Sequence, residues 1–303
     1  MSHALLLIPD FLLILFGFML CRWTALGRGV WDGVERLVYY VLFPVLLFNS
    51  IVKTPLQPGT TIGLAVGGWS VVASGIALAY ALRLWPGVDR GLHASGAQTA
   101  FRFNSFIGLA LAERLGGPQG VAWVAMLIAL CVPLCNVAAV WPLARQGGHA
   151  YWREIVRNPL ILSTVAGLLA NLAGLHWPDA VATALQRIGL AALPLGLMTV
   201  GAGLKFGGLT VSPGLATSLL AIRHLALPVV ALGLCALLAL PPAQRTILVV
   251  FAALPTAPSA YVLTVRMGGH GPFVAGLVTV STMLCALSIP LWMAVLAAQQ
   301  APF

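Results

Sequence analysis

The sequence predicts an all-α polytopic membrane protein: ten transmembrane helices in two inverted repeats of five, with the fourth and ninth helices broken where they cross. Three observations carry that prediction. Of 303 residues, 60% are hydrophobic and only 8% are charged, against roughly 25% charged in soluble domains. The two halves of the chain resemble each other at a shift of about 150 residues, as an internal repeat requires. Two spans are interrupted at matching places, one by polar residues and one by prolines.

Each element can be justified in turn. A spanning helix needs about 20 mostly apolar residues. Such stretches lie at 4–22, 35–53, 61–82, 94–114, 119–143, 159–175, 180–203, 215–239, 244–266 and 272–297. The first, within MSHALLLIPDFLLILFGFML, has no basic leading region, is interrupted by Pro9 and Asp10, and lacks a clean small-x-small cleavage site. It is expected to be a retained helix and not a signal peptide. The longest polar connection is ARQGGHAYWREIVRN at 144–158, and no stretch reads as a soluble domain. The organisation is therefore a first repeat at 1–143, a cytoplasmic connecting loop at 144–158 and a second repeat at 159–303.

Basic residues set the orientation, because cytoplasmic loops carry the excess of Lys and Arg. With the N-terminus outside, the inner loops hold Arg22, Arg28, Arg36, Arg83, Arg90, Arg145, Arg153, Arg157, Lys205 and Arg266. The outer loops hold Lys53, Arg114, Arg187 and Arg245, a balance of ten to four. Both termini are expected on the periplasmic or extracellular side of the cell (inner) membrane. The net charge of +9 comes from scattered arginines with no contiguous patch, so a nucleic-acid partner is not expected. Cys21, Cys131, Cys135, Cys235 and Cys285 all lie in or beside apolar runs and read as packing residues, with no metal site or cofactor implied.

The repeat is carried by prolines and glycines in order. Pro9 pairs with Pro159, Gly17 with Gly167, Pro44 with Pro194 and Pro118 with Pro272. FRFNSFIGLALAERLGG at 101–117 pairs with ALPTAPSAYVLTVRMGG at 253–269. Five helices per half insert the second half upside down. Inverted repeats with broken helices mark secondary transporters, whose substrate sits at the breaks.

Pro255 and Pro258 should open the ninth span, since each removes a helical donor; a simple kink is the other reading. Phe103 to Ser105 is the matching place in the fourth span, where Asn104 and Ser105 can satisfy freed backbone groups. Half-helix N-termini meeting there suit an anion. Arg102 lies beside this break, and an intramembrane ionisable residue is functional by default. It selects an anionic ligand, or else reaches a carbonyl cluster or an interface. Arg223 and His224 are expected to snorkel to the cytoplasmic interface, with a proton-coupling role for His224 the lesser reading.

FRFNSFIGLAL, CVPLCNVAAVWP, RNPLILSTVAGLLANLAG, LPLGLMTVGAGLKF and LPTAPSAYVLTVRMGG together resemble the auxin efflux carrier family, which includes bacterial permeases and the plant auxin exporters. The resemblance spans essentially the whole chain. It implies a scaffold of helices 1, 2, 6 and 7, and a mobile transport domain of helices 3–5 and 8–10. It also implies elevator-like movement, a homodimer formed through the scaffold, and small organic anions as substrates: auxin-like acids, or dicarboxylates such as malate and malonate. By the same resemblance the family's asparagines of helices 4 and 5 fall on Asn104 and Asn136, and its helix 9 proline break on Pro255 to Pro258. The chain departs from the plant members in lacking their long central loop, and it has no proline at the first break. The role of Arg102 does not come from the family.

The expected substrate contacts are Arg102, Asn104, Ser105 and Asn136, facing Pro255, Thr256, Pro258, Ser259 and Tyr261. Asn49, five residues after Pro44, is expected on the same cavity. One fixed cation favours a monocarboxylate, and Phe101, Phe103, Phe106 and Tyr261 would add surface for an aromatic or branched body. Two other readings compete. A sodium- or proton-coupled symporter or antiporter of similar design would usually hold acidic residues at the breaks, and none is there; a sodium site built from carbonyls alone stays open. A membrane sensor or receptor would need a signalling partner. An enzyme is not expected: H-E-x-x-H, a midplane aspartate pair, G-x-S-x-G with a base, and a Walker A loop are all missing from the sequence.

Overall fold

The computed structural model describes residues 3–53, 58–144, 159–175, 177–205 and 207–300. Nearly all of the predicted connecting loop, residues 145–158, lies outside them. The described residues are helical apart from short turns and one isolated β-bridge. In chain order the helices are α1 (His3–Trp23), α2 (Arg28–Leu37), α3 (Phe43–Lys53), α4 (Pro58–Ala81), α5 (Arg90–Gly96), α6 (Ser105–Ala144) and α7 (Pro159–Leu172). They continue as α8 (Asp179–Ala202), α9 (Pro213–Ala221), α10 (Leu227–Leu237), α11 (Pro242–Ala253), α12 (Ser259–Arg266) and α13 (Gly271–Gln300).

Among the described residues, six helical stretches are long and apolar enough to cross a membrane: Arg28–Val52, Thr61–Leu84, Ser105–Pro142, Asp179–Ala202, Pro213–Leu237 and Gly271–Gln299. Ten spans were expected. The difference has local causes. The breaks leave α5, α11 and α12 as short pieces. α6 joins the end of the predicted fourth span to the fifth, turning at Gly117, whose backbone angles of φ 54 and ψ −147 are not helical and which only glycine adopts without strain.

Two π turns follow from prolines. Val38–Leu42 sits between α2 and α3, just before Phe43–Pro44, and Ile222–Ala226 sits between α9 and α10, just before Leu227–Pro228. A proline ring clashes with the carbonyl four residues back, and a wider turn relieves that clash.

The chain sorts into two compact units. The first holds α1–α3, α6 from Phe106 to Ala129, α7 and α8. α1 packs on α8 at backbone contact: a Cβ on Gly17 would lie 2.1 Å from the Met198 carbonyl oxygen, and one on Gly201 would lie 1.8 Å from the Ile14 carbonyl oxygen. Neither neighbour can give way, so any larger residue forces the helices apart. α7 approaches α3 in the same way, with a Cβ on Gly167 placed 3.2 Å from the Phe48 carbonyl oxygen. The amide of Asn171 on α7 donates to the Ile51 and Val52 carbonyls at 2.9 Å each. Asp10 on α1 is 5% exposed and forms a two-pronged ion pair with Arg114 on α6 at 2.8 Å per contact. The sequence placed these two residues near opposite ends of separate spans and gave no sign that they pair.

The second unit holds α4, α5, α6 from Leu130 onward and α9–α13. Its core includes Phe101, Phe251 and Phe273, all fully buried. Cys131, Cys135, Cys235 and Cys285 are buried free thiols.

Candidate functional site

Both interruptions lie in the second unit. α5 continues into a 3-10 turn, Ala97–Ala100, and helix resumes only at Ser105. α11 stops at Ala253, and helix resumes only at Ser259. The two non-helical stretches run antiparallel, bridged at Phe103 and Thr256. The Asn104 N–H donates to the Pro255 carbonyl at 2.9 Å, and the Ala257 N–H to the Arg102 carbonyl at 3.4 Å. Backbone broken at membrane depth must find partners inside the protein, and here each break supplies partners for the other. Four half-helix ends meet: the C-terminal ends at Ala100 and Ala253 and the N-terminal ends at Ser105 and Ser259. The N-terminal ends carry positive partial charge.

Thr256 ties the crossing together. It is fully buried. Its N–H donates to Ser281 Oγ at 2.9 Å and its hydroxyl to the Thr99 carbonyl at 2.6 Å. Ser281 Oγ lies 2.9 Å from His224 Nε2, and His224 Nδ1 lies 3.0 Å from Ser288 Oγ. A neutral imidazole has one donor and one acceptor, which is enough for His224 to bridge the two hydroxyls. A buried hydrogen-bonded chain therefore runs from Ser288 to the crossing.

Arg102 is half-buried, and its Nη2 donates to Ser259 Oγ at 3.1 Å. The guanidinium thus sits at the N-terminal end of α12. Asn104 is 1% exposed and immediately precedes α6, which Ser105 opens. Asn136 is half-buried on α6, one residue after Cys135, whose thiol donates to the Phe101 carbonyl at 3.5 Å. Pro255 and Pro258 lie within the second break, as expected of residues that cannot donate.

Tyr261 and Asn49 were expected on the same cavity. Tyr261 packs against α13 beside Val274 and Val278. Its ring lies 4.3 Å from Lys205 Nζ, and its hydroxyl lies 3.3 Å from that same nitrogen. Lys205 is held by Thr279, whose hydroxyl accepts from the Lys205 N–H at 2.8 Å and donates to its carbonyl at 2.6 Å. Asn49 belongs to the first unit, on α3, where it is buried with an Nδ2 that meets no partner among the described residues. Phe101 and Phe103 do not offer surface to a ligand. Both are buried, Phe103 against Phe251 with ring centroids 4.5 Å apart and Phe101 edge-on to Tyr80 at 6.5 Å. They are core, which removes much of the reason to expect an aromatic body.

Arg223 corrects the sequence reading most sharply. It was expected to reach an interface. Instead it is 1% exposed and the largest fully buried side chain among the described residues. Its Nε donates to the Leu254 carbonyl and its Nη2 to the Phe251 carbonyl at 3.3 Å, both at the C-terminal end of α11. A signal was present in the sequence: Pro255 and Pro258 each orphan a carbonyl four residues back, and an orphaned carbonyl needs a donor.

Residues 142–293 match the family model described as membrane transport protein. An uncharacterized transporter of Methanothermobacter thermautotrophicus is 27% identical over 296 residues, covering 94% of this chain and 95% of that protein. A Rhizobium meliloti protein carrying the name "Putative malonate transporter" is 23% identical over 298 residues, covering 94% and 92%.

Proposed function

Because the chain belongs to the membrane transport protein family, we propose that it is a secondary carrier of small organic carboxylates, bound at the crossing of its two broken helices. It is a multi-pass membrane transporter and not an enzyme, as its family and its transporter relatives show.

The observation that carries the anionic substrate is the charge around the crossing. The N-terminal ends of α6 and α12 meet there, with Arg102 at Ser259. Among its described residues the second unit holds a single carboxylate, Asp89, which is occupied in capping α5 through the Leu92 N–H at 2.7 Å. Against it stand Arg83, Arg90, Arg102, Lys205, Arg223 and Arg245. An anion is stabilised in such a field and a cation is not. The malonate in the Rhizobium relative's name agrees with a carboxylate, and with Phe101 and Phe103 in the core a compact acid suits the site better than an aromatic one.

Two inverted repeats are supported by paired contacts. Gly17 meets Met198, and Gly167 meets Phe48; each residue of the first pair has its counterpart 150 positions away (17 + 150 = 167, 48 + 150 = 198). At the crossing Asn104 donates to Pro255, and Ala257 to Arg102, so the two breaks pair reciprocally. An elevator-type movement is supported by the sorting of the chain into two units, which largely follows the proposed scaffold and mobile parts; α6 is divided between them after Ala129. A homodimer formed through the first unit and termini on the outer face complete the reading, on the family resemblance and the charge count.

The test compares wild type with Arg102→Gln. Thermal stabilisation of purified protein is measured with malonate, malonamide, benzoate and benzamide, since a ligand that binds the folded state raises its apparent stability. The acid is expected to bind wild type better than its amide. The preference should shrink about tenfold in the variant, a change of about 1.4 kcal/mol. Equal preference in both proteins would remove Arg102 as the anion selector. No stabilisation of wild type by any acid tested would refute the substrate class.

A further inference from the structure

Arg223 is buried and cationic, has no acidic neighbour among the described residues, and its two acceptors are a matched pair. In a helix the carbonyl of residue i accepts from the N–H of residue i+4. The Phe251 carbonyl would accept from residue 255 and the Leu254 carbonyl from residue 258; both are prolines and have no N–H. Arg223 donates to these two carbonyls, Nη2 to Phe251 and Nε to Leu254; the Phe251 carbonyl also accepts from the Leu254 N–H at 3.4 Å. Its charge also sits at the negative end of the α11 dipole, where a cation is stabilised. The guanidinium thus replaces both donors that the prolines remove.

In carriers built from discontinuous helices, unwound carbonyls and half-helix C-terminal ends are where a coupling Na⁺ or H⁺ is held. Here that position is filled by a side chain. We propose that Arg223 is a resident cation that takes the place of a coupling metal ion, so that the transport cycle requires no Na⁺ or K⁺. This rests on the reading of the chain as a carboxylate carrier and extends it to the energetics. Sodium bound at the same carbonyls would have to displace the guanidinium, leaving a buried charge without partners. The other C-terminal end at the crossing is also occupied: the Thr99 carbonyl accepts from Thr256 and the Phe101 carbonyl from Cys135. Thr256, Ser281 and His224, the polar groups alongside, are already bonded to one another.

The experiment has an arm that needs no substrate. Binding of ²²Na⁺ to the purified full chain is measured, together with the unfolding temperature in NaCl, KCl and choline chloride at equal ionic strength. The expected result is no saturable ²²Na⁺ binding and one unfolding temperature in all three salts. Saturable binding, or a clear rise in unfolding temperature in NaCl or KCl over choline, would overturn the proposal. The second arm follows exchange of ¹⁴C-malonate in proteoliposomes, expected to run at the same rate within about twofold in the three salts. A rate in choline below about a tenth of that in NaCl would overturn the proposal. If malonate is not exchanged in any salt, the carboxylate reading loses its support, while the first arm still decides the fate of the cation. Arg223→Met adds a specific check: low-millimolar guanidinium should raise its unfolding temperature more than it raises that of wild type. Equal responses count against Arg223 as the occupant. If the variant does not fold, the wild-type arms stand alone.

Discussion

The hydrogen-bonded chain through Thr256 offers a quantitative test of how the crossing is held. Thr256→Val keeps shape and volume but removes the hydroxyl that donates to the Thr99 carbonyl at 2.6 Å. A buried acceptor left without its donor costs about 1–3 kcal/mol. Ser281→Ala removes the acceptor of the Thr256 N–H at 2.9 Å and the partner of His224 Nε2 at 2.9 Å. Two groups are stranded, and the cost is about 2–6 kcal/mol by the same reckoning. The two sites touch directly, with Oγ1 and Oγ 3.3 Å apart, so their effects should not add; contacting residues in one network couple by about 0.5–3 kcal/mol. The assay is thermal unfolding in detergent for wild type, both single variants and the double variant, where about 1 kcal/mol moves the midpoint by roughly 2–4 °C. Ser281→Ala is expected to fall furthest, and the double variant to fall less than the sum. Additivity within about 0.5 kcal/mol would refute the claim that Thr256 and Ser281 act as one unit. Malonate affinity measured on the same four proteins should fall in parallel if the crossing is the binding site.

Three further outcomes are expected. Asp10→Asn breaks a two-pronged, mostly buried ion pair with Arg114 and should cost about 3–5 kcal/mol, because removing one partner leaves a desolvated charge; unfolding of the single variants and of Asp10→Asn/Arg114→Gln measures it, and a double variant no better than the worse single would count against the pair. Pro255→Ala/Pro258→Ala restores two N–H groups that compete with Arg223 for the Phe251 and Leu254 carbonyls, so malonate exchange should fall while the protein still folds; unchanged exchange would show that the prolines only bend the chain. His149→Cys, within the connecting loop, should react with an impermeant thiol reagent only from the cytoplasmic side; labelling in intact cells would refute the orientation taken from the charge count.

What the sequence made legible were the features that act locally. Apolar runs announce spans because the bilayer imposes length and composition together. The second break was readable because a proline acts on its own helix. The first break was readable only through the repeat, since nothing in FRFNS forbids a helix. Long-range polar pairing was not readable. Asp10 and Arg114 are separated by 104 residues, His224 and Ser281 by 57, and Arg223 and Leu254 by 31. One hydrogen bond between distant residues leaves no periodicity on either side. Phe101 and Phe103 were misread for a related reason: the same residue type fills a core and lines a ligand pocket, and only packing tells the two apart.

Three prolines of the second unit share one logic. Pro255 and Pro258 strip donors from the Phe251 and Leu254 carbonyls, and Arg223 replaces them. Pro228 strips the donor from the carbonyl four residues back, that of His224, and the Trp292 indole N–H replaces it at 2.8 Å. In each case a backbone bond within one helix has been exchanged for a side-chain bond from another. A helix bound to itself is indifferent to its neighbours, whereas one whose carbonyls are met by side chains of α13 or of the π turn before α10 is fixed to them. The exchange is useful where backbone must stay open without water, because every freed group is satisfied and the open segment is held by rigid rods on several sides. The proposed elevator movement needs a body that would carry its binding site through the membrane unchanged. Donors supplied from neighbouring helices would make the crossing part of such a body, and the proposal then has opening to either side come from movement of the whole and not from unwinding at the site.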